Sequence, residues 1–230
     1  MKDERIVPGG TTELEDQLVA QALADGDPAG WFEHFYRASA AGEVELPWKR
    51  DEPHRLLTLW AAKRGLDGSG RRAVVVGCGQ GADAEYLARL GFQVIAFDVA
   101  ETAVRLARER YPDSAVHYQA ADVLHPPGQW RHAFDLVVEI ATVQALPDPP
   151  QRQAMTNVGR MVRAGGTLFA VEAFRGERDS TPQLGPWALS RADISAFGND
   201  GLALVGLRLC AGPAGPPDLR WQAEFRRAGG

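Results

Sequence analysis

At 230 residues the chain is long enough to bury a core without disulfide or metal staples and short enough to be one domain. A formal charge of -5 and two cysteines, Cys78 and Cys210, argue against a nucleic-acid partner and a disulfide scaffold; no zinc-type spacing of His and Cys is present, so no metal is expected. No run approaches the roughly 20 apolar residues needed to cross a bilayer. The start, Met1 to Arg5, has no apolar stretch behind its charges, so a reduced cytoplasmic setting without a membrane partner is expected.

Residues 1–10 are polar and end in Pro8-Gly9-Gly10, the composition of a tail. Leu14, Leu18, Val19, Ala22 and Leu23 then recur at helical spacing until Asp25-Gly26-Asp27-Pro28 interrupts them. Trp31, Phe32, Phe35 and Tyr36 form an aromatic cluster, with Leu46-Pro47-Trp48 after a loop. This stripe is expected either to pack on the main domain or to cap a small-molecule site. A further helix from about Pro53 to Arg64 carries Leu56, Leu57 and Trp60. Residues 1–66 thus read as a helical extension forming an active-site cap, and residues 67–230 as the core of one compact domain.

From Arg72 the pattern alternates between strands and helices. Strands are predicted at 73–77, 93–97, 116–119, 134–138 and 167–173, and helices at 82–90, 101–110 and 150–162. Such alternation predicts an α/β fold with a mostly parallel sheet, helices on both faces and the strand ends on one rim. Ser190, with Asp193 three positions on, caps a short helix. The runs 202–210 and 219–225 then suit an antiparallel strand pair at the sheet edge.

The most informative run is Val74-Val75-Val76-Gly77-Cys78-Gly79-Gln80-Gly81, a buried strand turning through alternate glycines into a helix. Glycine permits the unusual dihedrals and the close backbone approach that a bound nucleotide needs. Gly77, Gly79 and Ala82 satisfy GxGxxA, and Asp98 stands at the end of the next strand to accept ribose hydroxyls, as in dinucleotide sites. Two features favour a mononucleoside cofactor instead. Gly81 gives GxGxG, and Asp122 ends the third strand, where it would accept the adenine amino hydrogens with Val123 and Leu124 against the ring. Few residues remain after the sheet for a separate substrate domain.

The segment 74–81, with Asp98, Ala121-Asp122, Phe134-Asp135-Leu136-Val137 and Arg163-Ala164-Gly165-Gly166-Thr167-Leu168, resembles the class I S-adenosylmethionine-dependent methyltransferases over roughly residues 70–175. The resemblance implies a Rossmann-like seven-stranded sheet with a reversed last strand and S-adenosyl-L-methionine as cofactor. It further implies contact from Gly77, Cys78, Gly79 and Gly81 to the methionine part, ribose binding at Asp98 beside Val99, and adenine recognition at Asp122 and Val123. Val75 stands where the family usually has an acid. The glycine run and the Trp31 to Trp48 segment also resemble the thiopurine, thiol and halide methyltransferase branch, which implies cofactor contacts from Trp31 and Trp48 and puts sulfur ahead of oxygen or nitrogen as methyl acceptor.

The acceptor is expected to be a small molecule. Glu139, at the exit of the fourth strand, is the first candidate for a base at the reacting centre. Its alternatives are a cap on the following loop and a ligand for the cofactor's amino group. Glu172, at the end of the fifth strand, is a second rim acid. His34, inside the aromatic cluster, is a candidate proton acceptor or an exposed helix residue. Phe35, Tyr36, Arg175 and Trp187 are assigned to the acceptor pocket; an Arg175 or Arg178 facing it would favour an anionic acceptor. A nucleotide-dependent oxidoreductase and a non-catalytic nucleoside-binding module are the competing classes. Oligomeric state is not legible in the sequence.

Overall fold

A computed structural model describes residues 9–176, 185–198, 200–212, 215 and 218–230; residues 1–8 and Arg178 lie outside them. The helices α1 (Gly9–Ala24), α2 (Trp31–Ala40) and α3 (Arg55–Lys63) come first. The main unit then runs β1 (Arg72–Val76), α4 (Ala82–Arg89), β2 (Gln93–Asp98), α5 (Glu101–Arg110), β3 (His117–Ala120), β4 (Phe134–Ile140), α6 (Pro150–Met161) and β5 (Val162–Ala173). It closes with α7 (Arg191–Ser195), β6 (Leu202–Ala211) and β7 (Leu219–Arg227).

The seven strands lie in the order β3-β2-β1-β4-β5-β7-β6. The first five are parallel, whereas β7 is antiparallel to β5 and β6. The order reverses between β1 and β4, and ligands of open α/β sheets bind outside the carboxyl ends of the strands at such a switch point. The run Ala73 to Val76 is buried on both sides, which is why it is continuously apolar rather than alternating. One face of the sheet carries α6 with Phe134, Val137, Leu168, Ala170, Ala223 and Phe225. The other carries α3 and α4, with Leu57, Trp60, Val75, Leu87, Val138 and Phe169 packed together. Val75, at the position of the missing acid, is therefore a core residue.

Helix α3 is read from sequence as part of the extension, yet it packs directly on the second face. Trp60 donates to Glu224 of β7 at 3.0 Å, and Arg64 pairs with the same carboxylate. Helix α2 is docked differently. Glu33 accepts from the Thr102 backbone N–H at 2.9 Å and from its hydroxyl at 2.8 Å, satisfying an otherwise orphaned donor in the first turn of α5. Burial raises the Glu33 pKa, but the Thr102 hydrogen bonds and Arg37 prevail and hold it below the ordinary value. The apolar side of α2 meets Ala100, Ala103 and Trp187.

The predicted Ser190 cap is present as a reciprocal box with Asp193. One loop was not anticipated. After β4 the chain passes through Ala141 at φ 60° and forms a 3₁₀ turn, Val143–Ala145, over the rim. No helix among the described residues is long and apolar enough to cross a membrane.

Candidate active site

A cavity of about 550 Å³ opens over the rim at the switch point between β1 and β4, within the range of about 300–1,000 Å³ usual for small-molecule sites. Gly77, Cys78, Gly79 and Gly81 line it, all three glycines with positive φ. The glycines answer different demands. At Gly77 a Cβ would collide with Thr142, whose hydroxyl donates to the Val76 carbonyl at 3.1 Å; at Gly81 it would collide with the Tyr118 hydroxyl. Only at Gly79 does the wall leave room: the nearest atom to an added Cβ is the Tyr36 hydroxyl at 3.1 Å. Gly77 and Gly81 thus shape the turn, and Gly79 presents bare backbone to the cavity.

Asp98 closes β2 beneath this turn. Its Oδ2 accepts from the Gly79 N–H at 2.9 Å and its Oδ1 from the Ala100 N–H at 3.0 Å. Burial pushes its pKa up to about 6 against the pull of these backbone donors. Val99, Asp122 and Val123 continue the same wall. Asp122 is partly exposed and holds its own loop, accepting from the Leu124 N–H at 2.8 Å and facing His125 Nδ1 at 2.7 Å. A wall of glycine backbone, two rim carboxylates and apolar side chains suits an adenosyl group bearing an amino-acid tail.

The cap supplies aromatics. Trp31 stacks on Phe32 at 3.9 Å and stands edge-on to Trp48 at 5.8 Å; Trp48 donates to the Tyr36 hydroxyl at 3.0 Å. All four line the cavity. The Trp31 Nε1 is buried and has no hydrogen-bond partner among the described residues. Tyr36, assigned from sequence to the acceptor, sits over Gly79 and so borders the glycine loop. Burial raises the Tyr36 hydroxyl and the Cys78 thiol well above their usual pKa values, so neither is ionised at neutral pH.

Trp187 lies on the wall. Its N–H donates to the Gln144 carbonyl at 2.6 Å, and Gln151 reaches the Val143, Leu146 and Trp187 carbonyls at 3.3, 3.2 and 3.0 Å. This buried glutamine ties the 3₁₀ turn to Trp187.

Four assigned residues are elsewhere. Phe35 is fully buried between α2 and the core, and His34 is exposed on the outer side of the same helix, because one step along a helix turns a side chain about 100° away. Arg175 pairs with Asp193 at 2.6 Å and donates to the Ala188 carbonyl, so its guanidinium anchors α7 rather than facing an acceptor. Glu139 is fully buried behind the wall; its Oε1 accepts from the Thr142 and Val143 N–H groups at 2.8 and 3.0 Å, capping the 3₁₀ turn. Glu172 is buried beside it, and burial followed by the neighbouring Glu139 charge raises its pKa well above the ordinary value.

Sequence reasoning did not assign Glu15, Arg50, His54, Gln144 or Arg220 to the site, reading His54 as structural and Arg220 as solvent-facing, yet all line the cavity. Arg50 pairs with Asp83 at 2.8 Å, and His54 is the N-cap of α3. Nothing in their local sequence marks them, since long-range packing brings them to the rim.

Residues 73–166 match the family model of a methyltransferase domain. A ubiquinone biosynthesis O-methyltransferase of Xanthomonas oryzae pv. oryzae (strain PXO99A) is 35% identical over 106 residues, covering 45% of this chain and 44% of the relative. The corresponding protein of Xanthomonas axonopodis pv. citri (strain 306) is 31% identical over 130 residues, 53% and 54% of the two chains. The chain thus spans about half the length of the curated relatives it matches. The structure of the N-methyltransferase NodS from Bradyrhizobium japonicum WM9 in complex with S-adenosyl-L-homocysteine superposes with a TM-score of 0.64 at 24% identity, over 85% of this chain and 93% of that one. The [4+2]-cyclase SpnF superposes with a TM-score of 0.65 at 18% identity, over 98% of each. The match marks residues 73–166 as a methyltransferase domain, and the sheet order and glycine turn are similar to those of the class I S-adenosylmethionine-dependent methyltransferases.

Proposed function

We propose that this protein transfers a methyl group from S-adenosylmethionine to a small-molecule nucleophile. The observation that carries the reading is a single cavity with two unlike walls, one built from Gly79, Asp98, Val99, Asp122 and Val123, the other from Trp187, Val171 and the cap. The first wall fits the cofactor. Asp98 would receive the ribose hydroxyls, Asp122 the adenine amino group, and the Gly79 backbone the methionine end, with Arg50 above it to meet the carboxylate.

When bound, the cofactor supplies an electrophilic methyl on a sulfonium. The chain's contribution is to orient a nucleophile and exclude water, and well-oriented reactants alone account for a large share of such a rate. The aromatic side chains of the cap line one side of the cavity and reduce its exposure to water. A thiolate reaches the site already ionised, which suits a wall whose Tyr36 and Cys78 stay protonated and whose Glu139 faces away. For a nucleophile of higher pKa, Glu15 of α1 is a cap carboxylate on the cavity wall, with a pKa raised by burial and then by Asp16.

The family match ends at residue 166, before Val171, Trp187 and Arg220, so the family model bears on the donor half of the cavity more than on the acceptor half. Calorimetry with S-adenosylmethionine, S-adenosylhomocysteine and NAD tests the donor: the first two are expected to bind, and NAD binding without them would overturn the reading. A panel of thiols, phenols, amines and halides, scored by S-adenosylhomocysteine release, identifies the acceptor atom. Glu15→Gln is expected to spare turnover of thiols and to depress that of alcohols and amines.

A further inference from the structure

Strand β7 presents Trp221, Ala223 and Phe225 to one face of the sheet. By strand alternation Arg220, Gln222 and Glu224 present to the other, where α3 lies. Near its C-terminal end α3 is clasped to Glu224 through Trp60 and Arg64. Its N-cap, His54, comes to the rim near Arg220, close enough for the Arg220 and Asp218 charges to act on the imidazole. Both His54 and Arg220 line the cavity, together with Ile140 and Val171 at the ends of β4 and β5.

The His54 ring has one possible protonation pattern while α3 is capped. Its Nδ1 accepts the Leu56 N–H at 3.2 Å, so Nδ1 carries no proton and a neutral ring carries its proton on Nε2. Burial, and then the Arg50 charge, depress its pKa to about 4, so the ring is neutral at working pH. Nε2–H is therefore a fixed donor rather than a base. Three carboxylates lie near this corner: Asp83 accepts from the His54 N–H at 2.6 Å and from Arg50 at 2.8 Å, Asp218 lies 2.8 Å from Arg220 Nε, and buried Glu172, which shares its site with Glu139, also feels the Arg220 charge. A guanidinium has five donors, which one carboxylate does not exhaust.

We propose that His54 and Arg220 form a subsite for an anionic oxygen group, a carboxylate on the methyl acceptor, with the acceptor's apolar body against Ile140, Val171 and Trp187. This rests on the methyltransferase reading, and it deepens that reading by naming a feature of the acceptor. Arg220 takes the place that Arg175 was expected to fill. Its strand pairs with Ala173 of β5, beyond β4 from the glycine turn, so Arg220 lies on the side of the cavity away from Asp98 and Asp122, while His54 joins it from beside Asp83.

The test uses the whole protein saturated with S-adenosylhomocysteine and measures binding of 3,4-dihydroxybenzoate and of its neutral amide by calorimetry. The acid is expected to bind at least about 10-fold more tightly than the amide, as charge-assisted hydrogen bonds would give. Arg220→Gln should bring the two within about 2-fold while leaving S-adenosylhomocysteine affinity unchanged. His54→Asn retains a side-chain oxygen to cap α3 but removes the second ring nitrogen, and it should reduce the preference without unfolding the helix. Equal binding of acid and amide to the wild-type complex, or no binding of either, would overturn the subsite alone. Loss of S-adenosylhomocysteine binding in Arg220→Gln would reassign the corner to the cofactor's own carboxylate and overturn it too. Failure of the wild type to bind S-adenosylhomocysteine would instead strike the cofactor reading, and the subsite with it.

Discussion

Asp98 and Glu139 close the two strands that flank β1, and each carboxylate accepts two backbone N–H groups, yet Asp98 opens on the cavity and Glu139 does not. Register explains part of the difference. Glu139 lies opposite Val76, whose side chain faces the α6 side of the sheet, so Glu139 points beneath the loop that follows it. Asp98 is one residue beyond Phe97, the partner of Val76, and its carboxylate turns toward the Gly79 N–H of the neighbouring turn. Two acids at strand ends thus divide into a cavity-lining residue and a loop anchor by a single step of a two-residue period.

The largest effect that would break this comparison is at Asp98. Replacement by Ala removes the proposed acceptor for ribose hydroxyls and strands the Gly79 N–H, for an expected loss of about 2–3 kcal/mol, or roughly 30- to 150-fold in S-adenosylhomocysteine affinity. Calorimetry reads this directly, and unchanged affinity would remove Asp98 from the site. For Glu139, exchange with Gln keeps an oxygen to accept from Thr142 and Val143, so activity and cofactor affinity are expected within about 3-fold of wild type. Glu139→Ala orphans two N–H groups and should lower stability by about 1–3 kcal/mol in denaturant unfolding. A complete loss of turnover in Glu139→Gln, with the fold intact, would return Glu139 to the reacting centre.

The same contrast bears on what could be read from the chain alone. The places of the glycine turn, Asp98 and Asp122 on the cavity wall are legible because they arise within one strand-turn-helix unit or just past a strand end, where local sequence dictates backbone geometry. Ser190 and Asp193 are legible for the same reason. The proposed acceptor wall is not local: Arg220 reaches the cavity only because β7 inserts between β5 and β6, and His54 only because α3 is clasped to Glu224 more than a hundred residues away. Arg175 and His34 show the converse error. Each stands near the site in sequence, but an ion pair with Asp193 directs one away, and the outward face of α2 exposes the other.

A pH profile sharpens the comparison further. Asp98 titrates near 6, so its carboxylate is ionised at neutral pH and gains a proton as the pH falls through about 6. The protonated form accepts fewer hydrogen bonds from ribose hydroxyls. S-adenosylhomocysteine affinity should therefore be flat above pH 7 and decline below about 6, with the inflection absent in Asp98→Asn. An identical decline in that variant would assign the titration to another group.

The smallest effect concerns the loop anchor itself. Glu139 and Glu172 act directly on one another, with the Gln144 backbone N–H and the Arg220 charge also acting on Glu172. Burial raises both pKa values, and the Glu139 charge raises Glu172 further, so the folded pair retains a proton that the unfolded chain would release. The native state then binds more protons than the unfolded one above the ordinary carboxylate range. Stability is complete at acid pH and falls as the pH rises toward the folded pKa values. Glu172→Gln supplies a permanent donor to Glu139 and removes the second charge, so it should gain about 1 kcal/mol at pH 8 and nothing near pH 4, a difference visible in thermal unfolding at the two values. A gain of equal size at both would show that the amide merely packs better. A loss at pH 8 would mean that the ionised pair is what holds the turn over the rim, and the anchor would then work through charge rather than through a shared proton.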